Sequence, residues 1–171
     1  MRRGKYVTVI GSSAPLSSKA LELSYELGKE LAGRGFILVC GGRGGVMEAA
    51  AKGAKEAGGT TIGILPGVSR EEANPYIDIA IPTGLGQARN QVNVVAGDVV
   101  IVVEGQAGTL SEIGLALAHG KPVIALKGSG GVADLLAGKT IGKYRVLEAS
   151  SVKEAVKKAV KISEGNVTSF K

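Results

Sequence analysis

Short apolar runs alternate along the chain with longer segments in which an apolar residue recurs every three or four positions. The first type predicts strands and the second predicts amphipathic helices. The run at 98–103 is apolar on both faces, as in a central strand of a parallel sheet. Strict alternation of strands and helices predicts a parallel sheet covered on both faces. We predict strands at 6–10, Phe36–Cys40, 60–65, 76–81, 98–103, 122–126 and 144–147, and helices at Ser18–Gly33, 46–57, 85–96, 109–119, just after 131 and at Val152–Ser163.

These elements predict a single Rossmann-like α/β domain, doubly wound and mostly parallel, over residues 1–164, with a frayed tail at 165–171. The length of 171 residues suits one domain. No run approaches the roughly 20 apolar residues of a membrane helix. The short apolar run after Arg2, Arg3 and Lys5 predicts a first strand rather than a signal peptide. We therefore expect a cytoplasmic protein without a membrane partner.

Glycine is the outlier of the composition, with 27 glycines in 171 residues, about twice the usual ~7%. The glycines cluster at Gly11 and at 41–45, 105–108 and 128–131, directly after predicted strands. Open α/β sheets bind ligands at the carboxyl ends of their strands. We predict a ligand site at this edge, formed by Gly11, Ser12, Gly41, Gly42, Arg43, Gly44, Gly45, Glu104, Gly105, Gln106, Gly108 and Thr109.

The loop at 41–45 leads into a predicted helix, whose N-terminal amides and dipole attract anions. Because glycine lets the backbone approach closely, phosphate or pyrophosphate is the expected ligand. The loop is not a P-loop, since no Gly-Lys-Ser/Thr follows, and it does not match the GxGxxG fingerprint. The alternative interpretation is tight packing of strand against helix.

Glu112 has two interpretations. Thr109-Leu-Ser-Glu112 matches a capping box, in which the glutamate only closes a helix N-terminus. The same pattern recurs at Ser151-Val-Lys-Glu154, without a glycine-rich approach. The alternative is that Glu112 is a catalytic carboxylate beside the glycine-rich loop.

Arg89 lies on the preceding predicted helix with Asn90 and Asn93, and this polar face points either at the same crevice or at solvent. The chain has one Cys, Cys40, and one His, His119, which excludes an internal disulfide, a cysteine-cluster metal site and multi-His zinc sites. We predict no metal. Cys40 is expected to be a buried strand residue, and His119 a partner for the dipole at a helix C-terminus.

The net charge of +6 raises the question of a nucleic-acid partner. The last predicted helix is amphipathic, with lysines opposite an apolar face. However, the chain has only two Phe and four Tyr, and none lies among these lysines. Single-strand binding uses aromatic side chains for stacking. We therefore expect no nucleic-acid partner.

Several of these motifs together resemble the LONELY GUY (LOG) family. The stretches 40–48 and 57–66 are similar to its glycine-rich turn and the strand after the following helix. The stretch 104–112 is similar to its Pro-Gly-Gly-x-Gly-Thr-x-x-Glu motif, and Arg89 precedes Glu112 by the family's spacing of 23 positions. The resemblance covers roughly residues 5–126.

The resemblance implies hydrolysis of nucleoside 5′-monophosphates, such as cytokinin ribotides, to free base and ribose 5-phosphate, with Glu112 and Arg89 as catalytic residues. Family members often carry the label "possible lysine decarboxylase", but no lysine of this chain is distinguished for pyridoxal phosphate chemistry. The resemblance also implies a dimer with helices from this part of the chain at the interface, and we predict a homodimer or a higher even oligomer. The apolar residues expected to leave area for it are Val92, Val94, Val95, Leu115 and Leu117.

The chain departs from the LOG pattern in its second loop. Glu104 and Gln106 replace Pro and Gly, and Asn90 replaces the lysine that follows the arginine. Glu104 is expected to repel an anion nearby. The chain looks more like a short branch of the superfamily (SLOG), related in fold to DprA/Smf and to molybdenum cofactor carriers. This branch implies an alternative without catalysis, as a carrier or sensor of a bound nucleotide or molybdopterin-type ligand. Single-strand DNA binding, by analogy with DprA, rests on fold alone.

Overall fold

The computed structural model describes residues 5–15 and 17–165, and the α/β order predicted for them is confirmed. Beyond Gly165, the predicted tail lies outside the described residues. The strands are β1 (Lys5–Gly11), β2 (Phe36–Cys40), β3 (Thr61–Leu65), β4 (Ile79–Pro82), β5 (Val99–Val103), β6 (Val123–Leu126), β7 (Thr140–Ile141), β8 (Tyr144–Arg145) and β9 (Leu147–Ala149). The helices are α1 (Ser18–Gly33), α2 (Val46–Glu56), α3 (Arg89–Ala96), α4 (Ala107–Ala118), α5 (Gly131–Leu136) and α6 (Val152–Ser163).

A parallel sheet of 7 strands, in the order β4-β3-β2-β1-β5-β6-β9, forms the centre of the protein. From β1 the chain steps outward through β2, β3 and β4, and from β5 it steps outward in the other direction. The strand order therefore reverses between β1 and β5, which pair from Val7↔Val99 to Gly11↔Val103. Ligands bind at such a switch point, in the crevice outside the carboxyl ends of the strands.

The central strand β5 shows how the two cores are built. All of its residues are buried. Val99, Ile101 and Val103 pack into one core with α1, α2 and α6. Val100 and Val102 pack into the other core with α3, α4 and α5. Since successive side chains of a strand point to opposite faces, an unbroken apolar run covers both. The predicted doubly wound α/β fold is confirmed.

The helix predicted at 85–96 is interrupted near its start. A short 3₁₀ turn spans Gly86–Ala88, and α3 begins only at Arg89. Gly84 and Gly86 adopt φ of +67° and +55°, in the left-handed region that ends a regular helix.

Across the described part of the chain, no helix has the length and apolar character needed to cross a membrane.

Strand boundaries differ from prediction at the edges of the sheet. The strand predicted at 144–147 is divided between β8, which pairs antiparallel with β7 outside the main sheet, and β9, which pairs with β6. β4 begins at Ile79 rather than at 76, because Asn74 Oδ1 accepts a hydrogen bond from the Tyr76 N–H at 3.0 Å and holds a turn there. The central strands keep their predicted positions.

Candidate functional site

A cavity of about 560 Å³ opens at the switch point between β1 and β5. Its walls are the loops after β1 and β2, the first turns of α4 and one face of α3. The volume lies in the range of small-molecule pockets, roughly 300–1,000 Å³. The predicted site residues that line it are Gly11, Ser12, Gly41, Arg43, Gly44, Arg89, Gln106, Gly108, Thr109 and Glu112.

Three predicted glycines, Gly42, Gly45 and Gly105, shape the loops without lining the cavity. They adopt φ of +73°, +66° and +99°, which other residues rarely adopt. A Cβ on Gly45 would lie 2.3 Å from the Ser12 carbonyl oxygen. At these positions, the structure supports the packing interpretation of the glycines.

Glu104 is the predicted site residue whose placement most needs correction. It does not line the cavity, and only 2% of it is exposed. Its N–H donates to Ser129 Oγ at 2.8 Å, and its carbonyl accepts from the Ala133 N–H at 2.8 Å. Its Cγ lies 3.6 Å from where a Cβ of Gly130 would stand. Glu104 therefore lies behind the cavity wall, and its side chain is not part of the lining.

The fourth glycine-rich loop, at 128–131, supports the site from outside. Its residues are absent from the cavity lining. At the start of α5, the Val132 N–H donates to the Gly105 carbonyl at 3.0 Å. A Cβ on Gly131 would lie 2.3 Å from that same carbonyl oxygen, so glycine permits this close approach. The loop thus holds the turn between β5 and α4 in place.

Glu112 is buried in the cavity wall, with 7% of the residue exposed. Asn93 Nδ2 donates to its Oε1 at 3.0 Å. Burial raises the pKa of the carboxyl to about 7, because desolvation outweighs the opposing effects of the Asn93 hydrogen bond and the Arg89 charge. A carboxyl that titrates near neutral pH inside a cavity is suited to acid–base chemistry.

Arg89 is the first residue of α3 and lies beside Gly41 at the cavity wall. A Cβ on Gly41 would lie 2.4 Å from Arg89 Nη1, so glycine makes room for the guanidinium. Arg89 Nε is buried without a hydrogen-bond partner. Burial lowers the pKa of Arg89, with Glu112 opposing the shift. An arginine guanidinium stays protonated in proteins, so it supplies a buried positive charge.

The capping interpretation of Glu112 is wrong. Helix α4 begins at Ala107 with Gln106 at its N-cap, and no side chain caps it. Thr109 and Glu112 therefore lie inside the helix, where the box pattern has no free N-terminus to close. At α6, by contrast, Ser151 Oγ accepts from the Glu154 N–H at 3.2 Å, as a capping box requires.

A comparison with known families adds to this geometry. The model of the SLOG cluster4 family matches residues 4–156. The chain belongs to the SLOG cluster4 family. The match spans all of the walls of the cavity.

Relatives of this SLOG cluster4 protein reflect the resemblances found in its sequence. It is 36% identical to the cytokinin riboside 5′-monophosphate phosphoribohydrolase of Mycobacterium tuberculosis, over 69% of the chain and 68% of the relative. It is 39% identical to the molybdenum cofactor binding protein of Rippkaea orientalis, with a TM-score of 0.86 over 95% of the chain and 99% of that protein. DNA processing protein A of Helicobacter pylori, at 22% identity and a TM-score of 0.72 over 92% and 80%, shares the fold alone.

Glycines of the SLOG cluster4 protein fall into distinct classes at the cavity. A Cβ on Gly11 would lie 2.4 Å from the Val103 carbonyl oxygen, so Gly11 serves the contact of β1 with β5. A Cβ on Gly108 would meet no atom within 4 Å, and the φ of Gly108 is not in the left-handed region. Neither packing nor conformation requires glycine at 108, which leaves open space for a ligand.

Asn90 and Asn93, predicted to share the polar face of Arg89, line the cavity, and so do Ser13 and Gln87, which the sequence pattern did not single out. Asn93 bonds Glu112 and lies one helical turn after Arg89. That spacing of four positions was the available signal. Gln106 Nε2 donates to the Ala14 carbonyl at 3.3 Å, between the loops after β1 and β5. Asn90 Nδ2 donates to Ser111 Oγ at 3.3 Å, which ties α3 to α4.

Cys40 and His119 lie outside this chemistry. Burial raises the pKa of the Cys40 thiol to about 11, so it is protonated at neutral pH. His119 is the C-cap of α4, at the helix end where it was predicted. Within the described ranges, no cluster of three or more His, Cys, Asp or Glu has the arrangement of a metal site.

Proposed function

We propose that the protein binds a phosphorylated nucleotide-like ligand in the switch-point cavity and hydrolyses its N-glycosidic bond, releasing free base and ribose 5-phosphate. The observation that carries this proposal is Glu112, a buried carboxyl in the cavity wall with a pKa of about 7. Arg89 is close enough for its positive charge to stabilise the ionised form of Glu112. The M. tuberculosis relative, named for this reaction on cytokinin riboside 5′-monophosphates, supports it.

Each part of the cavity has a role in this reaction. The first-turn amides of α4 have no acceptor within their own helix, and with the helix dipole they favour a phosphate. Cleavage of an N-glycosidic bond passes through an oxocarbenium-like state, which a nearby carboxylate stabilises. Ionised Glu112 takes a proton from the water whose oxygen bonds to C1′. The C1′–N bond breaks with its electron pair on the base, and the proton passes from Glu112 to the departing base, while Arg89 orients the substrate. No lysine lines the cavity within the described residues, which argues against a Schiff base with pyridoxal phosphate.

A second candidate function is that of a carrier or sensor of a phosphorylated cofactor such as molybdopterin, without catalysis. The R. orientalis protein favours it, because that likeness spans 95% of the chain, whereas the likeness to the M. tuberculosis enzyme spans 69%. The departure at Gln106 from the LOG pattern points the same way, since its side chain stands where glycine would leave room for phosphate.

The two functions are distinguished by products. The wild-type protein, incubated with a panel of nucleoside 5′-monophosphates, is expected to release free base and ribose 5-phosphate, measured by liquid chromatography. Native mass spectrometry of the purified protein reports any ligand that it already carries. The protein would instead be a carrier if it bound these nucleotides tightly without releasing base and co-purified with a pterin phosphate.

Gly108→Ala tests whether phosphate sits at the start of α4. The methyl group meets no protein atom, so the unfolding free energy is expected to stay level or rise by up to about 1 kcal/mol. Affinity for a nucleoside monophosphate, measured by calorimetry, is expected to fall about tenfold. The added methyl group obstructs a hydrogen bond from a backbone N–H of this turn to the phosphate. Affinity for the nucleoside should change little.

The control for that substitution is Gly33→Ala on α1, which is also helical and meets no atom within 4 Å. It lies outside the cavity lining, so both affinities should be unchanged. Equal losses for nucleotide and nucleoside in Gly108→Ala would show that phosphate does not contact this turn.

We also propose that the protein is a homodimer or a higher even oligomer through the outer face of α3 and α4. Val94 and Leu117, expected to leave apolar area, are instead buried in the core. The exposed face carries Val92, Leu110 and Gly114, and the charged residues of α3 and α4, Arg89 and Glu112, are buried. Charge depletion of this kind is typical of interface cores.

Gly114→Arg is expected to dissociate the oligomer, because it places a charge where small residues let helices approach. Size-exclusion chromatography with light scattering should show the 17.3 kDa monomer for this variant and a multiple for the wild type. Gly33→Arg, at the equally open position on α1, should leave the mass unchanged. A monomeric wild type at micromolar concentration would refute this assembly.

A further inference from the structure

Asn93 occupies a central position between β1, α3 and α4. Only 1% of the residue is exposed. Its backbone carbonyl accepts a hydrogen bond from Thr8 Oγ1 at 2.9 Å, which anchors α3 to β1. Its side-chain Nδ2 donates to Glu112 Oε1 at 3.0 Å, which reaches α4. One buried residue therefore links the strand at the switch point to the carboxyl in the cavity wall.

The charged groups around Glu112 do not replace this contact. Arg89, one turn earlier on α3, acts on the carboxyl through its charge, but within the described residues the two form no ion pair at 4.0 Å or less. Cys40, on β2, is also near enough to interact with the Glu112 carboxylate through charge. However, the Cys40 thiol is neutral near pH 7 because its pKa is about 11. The orientation of the carboxyl is thus determined by a neutral amide.

We infer that Asn93 is the positioning residue of this site, whose amide N–H holds the Glu112 carboxyl at the cavity wall. This inference deepens the proposed function and rests on it for the role of Glu112. The contact discriminates between protonation states, because an N–H donor stabilises an ionised carboxylate more than a neutral carboxyl. Asn93 therefore keeps part of Glu112 ionised at neutral pH, despite burial.

The test replaces the amide and follows the titration of Glu112 itself. In Asn93→Leu, which has similar volume but no donor, the midpoint of the Glu112 Cδ carbon shift, measured by NMR against pH, is expected to rise by about one unit or more. Asn93→Asp is the isosteric second variant, in case the first folds poorly. Its carboxyl shares a proton with Glu112, so the midpoint rises further. Both variants keep the backbone bond to Thr8.

The matched control is Asn90→Leu, since Asn90 is also buried on α3 but donates its side-chain hydrogen bond to Ser111 instead of Glu112. Its Glu112 midpoint should equal that of the wild type. In the base-release assay, the pH at which kcat/KM is half-maximal should rise in the Asn93 variants by the same amount as the NMR midpoint.

The outcomes separate this inference from the proposed function. Midpoints that stay at the wild-type value in both Asn93→Leu and Asn93→Asp overturn the positioning role, whatever the activity. Raised midpoints support it. If no protein in the series releases base, the phosphoribohydrolase proposal fails, while the NMR midpoints still decide whether Asn93 positions the carboxyl.

Discussion

Glu112→Gln is expected to lower the rate of base release from a nucleoside 5′-monophosphate by a factor of about 10²–10⁴, the usual contribution of a general base. Glutamine has nearly the same shape and still offers an oxygen to the Asn93 amide, so the cavity and the affinity for the substrate should be preserved. It cannot take a proton from water. The loss should therefore lie in kcat, measured by steady-state kinetics, with substrate affinity measured by calorimetry.

The control is Glu26→Gln, which makes the same chemical change on the exposed face of α1, outside the cavity lining. Its kcat should match that of the wild type. A Glu112→Gln protein that turns over within a few-fold of the wild type would remove Glu112 from the mechanism. A protein that loses affinity as much as kcat would show that Glu112 serves binding.

The free energy of unfolding is expected to fall as pH rises from about 4.5 to about 7. In the unfolded chain Glu112 ionises at its ordinary pKa of 4.5, whereas in the folded chain burial raises that pKa to about 7. Between these values the folded state binds more protons, so raising the pH favours unfolding. The full loss is about 3 kcal/mol, from 1.36 kcal/mol for each unit of pKa shift, and it levels off above pH 7.

Urea unfolding at several pH values measures this loss, with Glu112→Gln as the reference, since glutamine does not titrate. The difference in unfolding free energy between the two proteins should fall through the window and level off on both sides. Glu154, whose pKa the Lys158 and Ser150 hydrogen bonds lower to about 2, affects stability with the opposite sign and only below this window. A flat difference from pH 4.5 to 8 would mean that Glu112 is ionised throughout in the folded protein.

The fold was predictable because its signals are local and repeat along the chain. The apolar run Val99–Val103 predicts a strand buried on both faces, and the glycines after the strands indicate one edge of the sheet. The switch point follows from strand order, which the sequence does not state directly. It is the pairing of β1 with β5 that brings Gly11, Gly41 and Glu112 to one cavity.

The placement of individual side chains was less predictable, for physical reasons. The pattern around Thr109 favours a helix start there, but the helix starts at Ala107 because Gly105, with φ of +99°, turns the chain earlier. The sequence predicts Glu104 to be a loop residue beside the ligand. In the structure, Glu104 is buried against the backbone of the neighbouring segment. Such contacts join segments far apart in sequence, so no local pattern specifies them.

The pairing of β1 with β5 also constrains how the protein folds. Tyr6 bonds Asp98, 92 positions further along the chain, at the start of the same pairing. Closing a loop of that length costs roughly 4 kcal/mol of chain entropy before any contact repays it. During synthesis, the loops at 11–14 and 41–44 emerge long before the strand that must lie beside them. The cavity therefore cannot close before β5 and the start of α4 have been made, although two of its walls emerge much earlier.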